Sequence, residues 1–363
     1  MKRFPDSERL ARLRLIRTEG IGPVGFGRLV ARFGSAAAAL AALPDLGGHA
    51  GQPIRPCARD IAEAELLAAD AVSATHVFLG EAGYPPRLAE LADPPPVLLA
   101  VGDLSLGAKP CVGIVGARNA SAAGQLMART LAEGLGAAGY VVVSGMARGI
   151  DAAAHAATLD SGTIGCIAGG PDIAYPPENR NLQEAVAGKG LLLTEMPPGT
   201  EPMARHFPRR NRLIAGVAEA VIVIEAASGS GSLITARIAG EAGREVMAVP
   251  GSPLDPRARG GNGLLKAGAT LIEDVADALA ALRPFAVPSP SRAAVRAASP
   301  AVPDHAPAEA AGQLLSLLSP APVAVDELVR LSGLTAAEVA ALLIDFELEG
   351  RVVRHAGGRV SAA

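Results

Sequence analysis

The sequence predicts an α/β protein built on a parallel sheet, with a helical segment before the sheet and a small helical module after it. Three observations predict this. Six short apolar runs, at residues 111–115, 140–143, 163–168, 190–193, 220–224 and 246–249, alternate with helical patterns such as 121–138, 151–159 and 232–242. Strands spaced by helices imply right-handed crossovers and a parallel sheet, whose strands are covered on both faces and so read as unbroken apolar runs. Residues 1–70 are rich in Ala, Leu and Arg at helical spacing, and residues 308–363 regain a helical pattern after a Pro-, Ala- and Ser-rich stretch without periodicity.

The elements follow in order. Leu10, Leu13, Ile16 and Arg17 lead into Gly20-Ile21-Gly22-Pro23, and Phe26, Leu29, Val30 and Phe33 follow at i, i+3, i+4 and i+7. A turn with two glycines either exposes its amides to a phosphate or simply ends a helix. Tyr84-Pro85-Pro86 and Asp93-Pro94-Pro95-Pro96 form a connector into the sheet domain, taken as residues 71–283. Residues 284–307 read as a flexible linker. The final zone, 308–363, shows helices at 313–318, 325–331 and 335–348 and then a hairpin around Gly357-Gly358. Thr335 and Glu338 form a capping box at the start of its third helix. That helix has no Lys or Arg, and Glu338, Asp345, Glu347 and Glu349 make it acidic. Reading duplex DNA needs donors to bases and phosphates, so a protein contact or a regulatory role is expected here.

A chain of 363 residues has room for two or three domains. The net charge of −3 conceals local asymmetry: residues 1–32 carry eight Lys or Arg against three acids, and residues 200–215 carry four Arg against one Glu. A nucleic-acid binder needs one basic face, not a basic total. With no Trp, three Tyr and seven Phe, the chain has no material for a long base-stacking platform, so phosphates would be held by amides and arginines. No apolar run of about 18 residues occurs, so no membrane span is expected. The start reaches Asp6 and Glu8 without an apolar signal region, and Cys57, Cys111 and Cys166 lack metal-ligand spacing. Reduced thiols in the cytoplasm are expected.

Open sheets of this kind bind ligands beyond the carboxyl ends of their strands, so the loops there hold the candidate site. Gly113-Ile114-Val115-Gly116-Ala117-Arg118-Asn119 brings backbone and a guanidinium fork to a helix start, but it does not spell the G-x-G-x-x-G dinucleotide fingerprint. Ser144-Gly145-Met146-Ala147-Arg148-Gly149-Ile150-Asp151 precedes a helix that Asp151 is expected to cap, with His155 on the same face. Ser144, Asp151 and His155 raise nucleophilic catalysis as an alternative; with no G-x-S-x-G elbow, a capping Asp and a structural His are preferred. Further on lie Gly169-Gly170, the run Tyr175 to Asn181 with Arg180, and the cluster Arg209-Arg210-Asn211-Arg212. Ser228-Gly229-Ser230-Gly231-Ser232 opens an apolar helix as an anion nest, without the Lys of a nucleotide-hydrolysing loop. Together these loops favour a phosphodiester-like ligand.

The same residues in this order resemble the DNA-processing protein A (DprA/Smf) family. The matching stretches are Val115 to Arg118, Ser144 to Asp151 with His155, Tyr175-Pro176, Phe207 to Arg212, Ser228 to Ala236, Ala248 to Gly251, Gly260 to Leu265 and Gly268-Ala269. Ala117 stands where Ser is usual and Met146 where Leu is common. The resemblance implies an extended Rossmann-like domain flanked by an N-terminal SAM or helix-hairpin-helix-like domain and a C-terminal winged-helix-like domain. It also implies a non-enzymatic homodimer that binds single-stranded DNA, protects it, and loads the RecA recombinase during transformation, with no cofactor. Arg118 and its neighbouring glycine loops would line the DNA pocket. Loop position adds the rest of the candidate set: Gly116, Ser144, Gly145, Arg148, Gly169, Gly170, Arg180, Arg209, Arg210, Asn211, Arg212 and Ser228 to Ser232. The fold also resembles nucleotide-binding enzymes, and the alternative is an enzyme acting on a small phosphorylated nucleotide through Asp151, His155 or Glu225.

Overall fold

Helical spacing in the first seventy residues produces α1 (Asp6–Arg17), α2 (Pro23–Phe33), α3 (Ala36–Ala42) and α4 (Arg59–Ala71). The structure, a computed structural model, describes residues 3–46, 54–282, 308–319, 321–348, 351–355 and 358–362. Asp6 and Glu8 open α1 while Arg14 and Arg17 close it, each sign complementing the helix dipole. Gly20, at φ +80°, turns the chain between α1 and α2 as the glycine pair predicts. Leu15, Phe26, Ala36, Ala39 and Leu43 form a small core among α1 to α3.

Leu13 faces the other way and packs with Ala62, Phe78 and Val97, which joins this helical layer to the sheet. Two polar ties fix the joint. Arg9 donates to Glu81 at 2.7 Å and to the His76 carbonyl at 2.9 Å. Arg17 grips Glu65 with two bonds of 2.8 and 2.7 Å while His76 lies 3.3 Å away. Burial pushes the Glu65 carboxyl up, but the bonds from Arg17 and His76 outweigh it and hold it at about 2.

The sheet begins with β1 (Thr75–Phe78), a short helix α5 (Pro86–Ala89) and β2 (Val97–Gly102). Then come β3 (Cys111–Gly116), α6 (Ala122–Ala137), β4 (Val141–Ser144), α7 (Ile150–Ala157), β5 (Thr163–Cys166), α8 (Arg180–Lys189) and β6 (Leu191–Thr194). Next are α9 (Phe207–Val217), β7 (Ala220–Ile224), α10 (Gly231–Glu241), β8 (Glu245–Ala248), α11 (Arg259–Lys266), β9 (Thr270–Leu271) and α12 (Val275–Leu282). The strand order is β1-β2-β6-β5-β4-β3-β7-β8-β9. The six predicted apolar runs are the parallel strands β3 to β8, and β9 extends them in parallel. The sequence reading did not foresee β1 and β2, which add to β6 as an antiparallel pair.

Strand alternation fills both faces. Val221 and Val223 point into a core with Leu213, Ile214 and Val217 of α9 and Ala236 and Ala239 of α10. Ala220, Ile222 and Ile224 point into the opposite core, with Leu131 and Leu135 of α6 and Ile150 and Ala154 of α7. The predicted α/β architecture is therefore present, with a helical layer at its N-terminal edge and a mostly parallel sheet.

Residues 286–363 form a separate unit. It contains α13 (Ala308–Ser316), β10 (Val323–Ala324), α14 (Val325–Ser332), α15 (Ala336–Leu348), β11 (Val352–His355) and β12 (Arg359–Ala362), with sheet order β10-β12-β11. Leu314, Leu328, Val339, Leu342, Phe346, Val352 and Val360 make its core, so three helices back an antiparallel wing. The capping box is present: Glu338 accepts from the Thr335 N–H at 2.8 Å, and Thr335 Oγ1 accepts from the Glu338 N–H at 3.3 Å. The expected linker, Glu349 and the Gly357 half of the predicted glycine turn lie outside the described residues.

Candidate nucleic-acid interface

β3, β4, β5 and β7 end side by side, and the loops that leave them converge. Two depressions share a wall there. The smaller, about 40 Å³, is lined by Gly145, Ala147, Arg148, Ile167, Gly169, Tyr175 and Pro176. The larger, about 520 Å³, is lined by Gly116, Asn119, Asn211, Ser230, Gly231, Ser232, Thr235 and Arg257. Arg118, Ala147, Phe207 and Arg210 line both.

Arg118 is exposed, and its guanidinium lies 5.4 Å from the Phe207 ring centre; Arg210 lies 5.7 Å from the same ring. Tyr175 meets Phe207 edge-on at 5.7 Å. Arg210 is only 7% exposed. Its Nη1 is so close to the chain that a Cβ on Gly145 would fall 1.3 Å from it, which explains the glycine there. Asp151 faces Arg210 at 3.7 Å, and the Arg210 Nε has no hydrogen-bond partner among the described residues. A guanidinium that lines both depressions with its carboxylate 3.7 Å away is suited to an incoming anion. Burial lowers the Arg210 pKa against the pull of Asp151; burial likewise raises Asp151 against the pull of Arg210 and two amides.

The expected Asp151 cap is corrected. Gly149, at φ +74°, takes the cap position of α7, and Asp151 lies within the first turn. From there its carboxylate accepts from the N–H groups of Gly145 (3.2 Å) and Ala147 (3.3 Å), bracing the loop against which Arg210 of α9 packs. The Ser144 hydroxyl is fully buried and donates to the Ile114 carbonyl at 2.6 Å. His155 is fully buried with Nδ1 2.7 Å from Thr163 Oγ1, and burial, then Arg210, depresses its pKa to about 3. Ser144 and His155 are thus committed to the interior and form no exposed nucleophile.

The other predicted residues divide. Ser230 caps α10, its Oγ accepting from the Ser232 N–H at 3.3 Å, and Asn211 donates to the Gly231 carbonyl at 3.3 Å. This fixes the nest against α9. Ser228 and Gly229 are exposed but outside both linings, as is Arg180, while Gly170 is buried beside the smaller depression. Arg148 reaches the smaller depression with Glu178 at 3.7 Å. Arg209 and Arg212 line neither depression, and Arg212 is engaged elsewhere. It donates to Asp93 at 2.6 Å and to both Glu195 oxygens at 3.0 Å, so both its Nη groups are held by carboxylates from the lead-in and from the chain after β6, while its Nε, like that of Arg210, has no partner among the described residues. Tyr175, Phe207 and Arg257 also line these depressions, beyond the residues expected from the sequence. Only the spacing of Tyr175-Pro176 and Phe207-Pro208 within the quoted motifs marked the first two.

Among the described residues no group of His, Cys, Asp and Glu is arranged to hold a metal, and no helix is long and apolar enough to cross a membrane.

Comparison with known proteins gives three family matches. Residues 75–283 match DNA recombination-mediator protein A, residues 6–68 match the DprA-like N-terminal HHH domain, and residues 297–358 match the DprA winged helix domain. The chain is 46% identical over 197 residues to the DNA processing protein DprA of Bacillus subtilis, a match covering 53% of this chain and 66% of that relative. It therefore spans just under two thirds of that relative. The X-ray structure of DNA processing protein A from Streptococcus pneumoniae is similar at TM-score 0.62 and 34% identity, covering 77% of this chain and 98% of that one. The structure of the Helicobacter pylori protein, described for its single-stranded DNA binding mode, is similar at TM-score 0.53 and 31% identity, covering 57% of this chain and 95% of that one.

Proposed function

The chain belongs to the family of DNA recombination-mediator protein A, and from that membership we propose that it binds single-stranded DNA by its phosphates and passes the strand to a recombinase. One observation carries this reading. Arg118 and Arg210 flank Phe207 on the wall shared by two depressions, and Asp151 lies no nearer than 3.7 Å to the Arg210 guanidinium. A flexible strand can lay successive phosphates along such a wall. Binding of single-stranded DNA by the Helicobacter pylori relative supports the same reading. The finer parts of the proposal are loading of RecA onto the bound strand, a homodimer, and action in the cytoplasm. We also read the chain as a binder and not an enzyme, since Ser144 and His155 are buried in structural hydrogen bonds.

The test is a gel-shift titration with single- and double-stranded DNA of equal length, and a mononucleotide as competitor. Single strands are expected to bind at least about tenfold tighter than duplex, about 1.4 kcal/mol, with little competition. Equal affinity for the duplex, or efficient displacement by the mononucleotide, overturns the reading. For the finer step, the protein should speed RecA filament assembly on single strands coated with single-strand-binding protein; no acceleration removes it.

A further inference from the structure

The strand order reverses between β3 and β7: β4, β5 and β6 lie on one side of β3, while β7, β8 and β9 lie on the other. Open sheets take ligands at such a point, and phosphates there rest on the amides of the helix after the first strand. Here that helix is α6, with Ser121 as N-cap and no acid in its own first turn. The anion at its start comes from across the switch point. Glu225, the residue after β7, accepts from the Ser121 N–H at 2.8 Å and, by a short bond, from the Ser121 hydroxyl. That hydroxyl accepts from the Gly124 N–H at 2.9 Å. Gly124 makes the room: a Cβ there would lie 2.6 Å from the Glu225 carboxyl carbon. Glu225 itself adopts a left-handed backbone, φ +50°, uncommon for a residue with a side chain.

Charge follows the same division. In front of Glu225 lies a depression of about 290 Å³ whose lining holds no Lys or Arg and two carboxylates, Glu225 and Asp255, the second of them paired with Arg257 at 2.8 Å. The larger depression described above holds Arg118, Arg210 and Arg257. One end of the sheet thus presents an acidic hollow and a basic one.

We propose that Glu225 is a specificity-determining residue: its carboxylate occupies the phosphate position at the switch point, bars nucleoside phosphates from it, and leaves polynucleotide phosphates the Arg118–Arg210 wall. This deepens the proposed function and rests on it for the ligand admitted. The exclusion itself is measured with a different ligand.

ADP binding is measured by calorimetry on the full chain for wild type, Glu225→Gln and Glu225→Gly, with folding checked by circular dichroism. Gln keeps an oxygen for the Ser121 N–H, and Gly suits the left-handed backbone, so both replacements are compatible with the fold. Glu225→Gly, which vacates the position, should bind ADP at least about tenfold tighter than wild type, Glu225→Gln, which fills it without the charge, should gain less, and the Gly gain should survive an added Arg118→Ala. Single-strand affinity should stay within about twofold of wild type. ADP affinities equal in wild type and folded variants overturn the proposal, as does a gain abolished by Arg118→Ala, which would locate ADP in the basic hollow. A wild type with no affinity for single strands refutes the functional reading and leaves the ADP comparison intact.

Discussion

Arg118 stands exposed against Phe207 with its guanidinium over two depressions, whereas Arg212 is largely buried and closed on Glu195 and Asp93. Their substitutions should therefore differ in kind. Arg118→Ala should weaken single-strand binding about tenfold on every base composition, because a phosphate contact carries no sequence information. Arg212→Ala should leave the affinity of the folded protein near wild type but lower its stability by about 3 kcal/mol, since it strands a buried carboxylate. Urea melts and anisotropy on both variants separate the two outcomes, and an exchange of phenotypes would reverse the assignment. His155 gives a pH prediction. Its folded pKa is depressed to about 3, below the ordinary histidine value, so its contribution to stability is present above about pH 6.5 and is lost as pH falls toward 3. The ring should show no titration by NMR between pH 8 and about pH 5; a midpoint near 6.5 would mean that it is not buried as described. The nature of Arg212 could not be read locally, because its partner Asp93 is 119 residues away in sequence. A run of arginines announces positive charge and says nothing about which members are already neutralised.

Among the elements, the parallel strands β3 to β8 were legible because strands buried on both faces have no polar alternation to obscure them. β1 and β2 were not. Thr75-His76-Val77-Phe78 is four residues long, and Val97 follows three prolines that read as a connector. The site was legible as loops but not as a wall: Phe207 is what brings Arg118 and Arg210 together, and that contact exists only once α9 packs beside β3. The C-terminal unit, with α13 to α15 and its wing, carries the prediction that belongs to this scale. Ending the chain at residue 307 should leave single-strand affinity largely intact by fluorescence anisotropy, since the candidate residues all lie in the first unit. A loss of tenfold or more, about 1.4 kcal/mol, would make the module part of the DNA site.

For the whole molecule, a net charge of −3 coexists with a local basic wall, and the account stands on that wall making the contact. Four guanidinium groups line the two depressions: Asp255 holds Arg257 at 2.8 Å, whereas Glu178 and Asp151 lie 3.7 Å from Arg148 and Arg210, and Arg118 is exposed; Arg118, Arg148 and Arg210 are therefore the three open to phosphates. If each neutralises one phosphate, log K for a single-stranded oligonucleotide should fall linearly with log salt at a slope of about −2, near −0.7 per phosphate. Different base compositions should give parallel lines. The decisive measurement is this salt titration by anisotropy on wild type and Arg118→Ala. The wild-type slope should be about −2 and should become shallower by about 0.7 in the variant. A flat salt response in the wild type, or an unchanged slope without Arg118, would contradict contact at this wall.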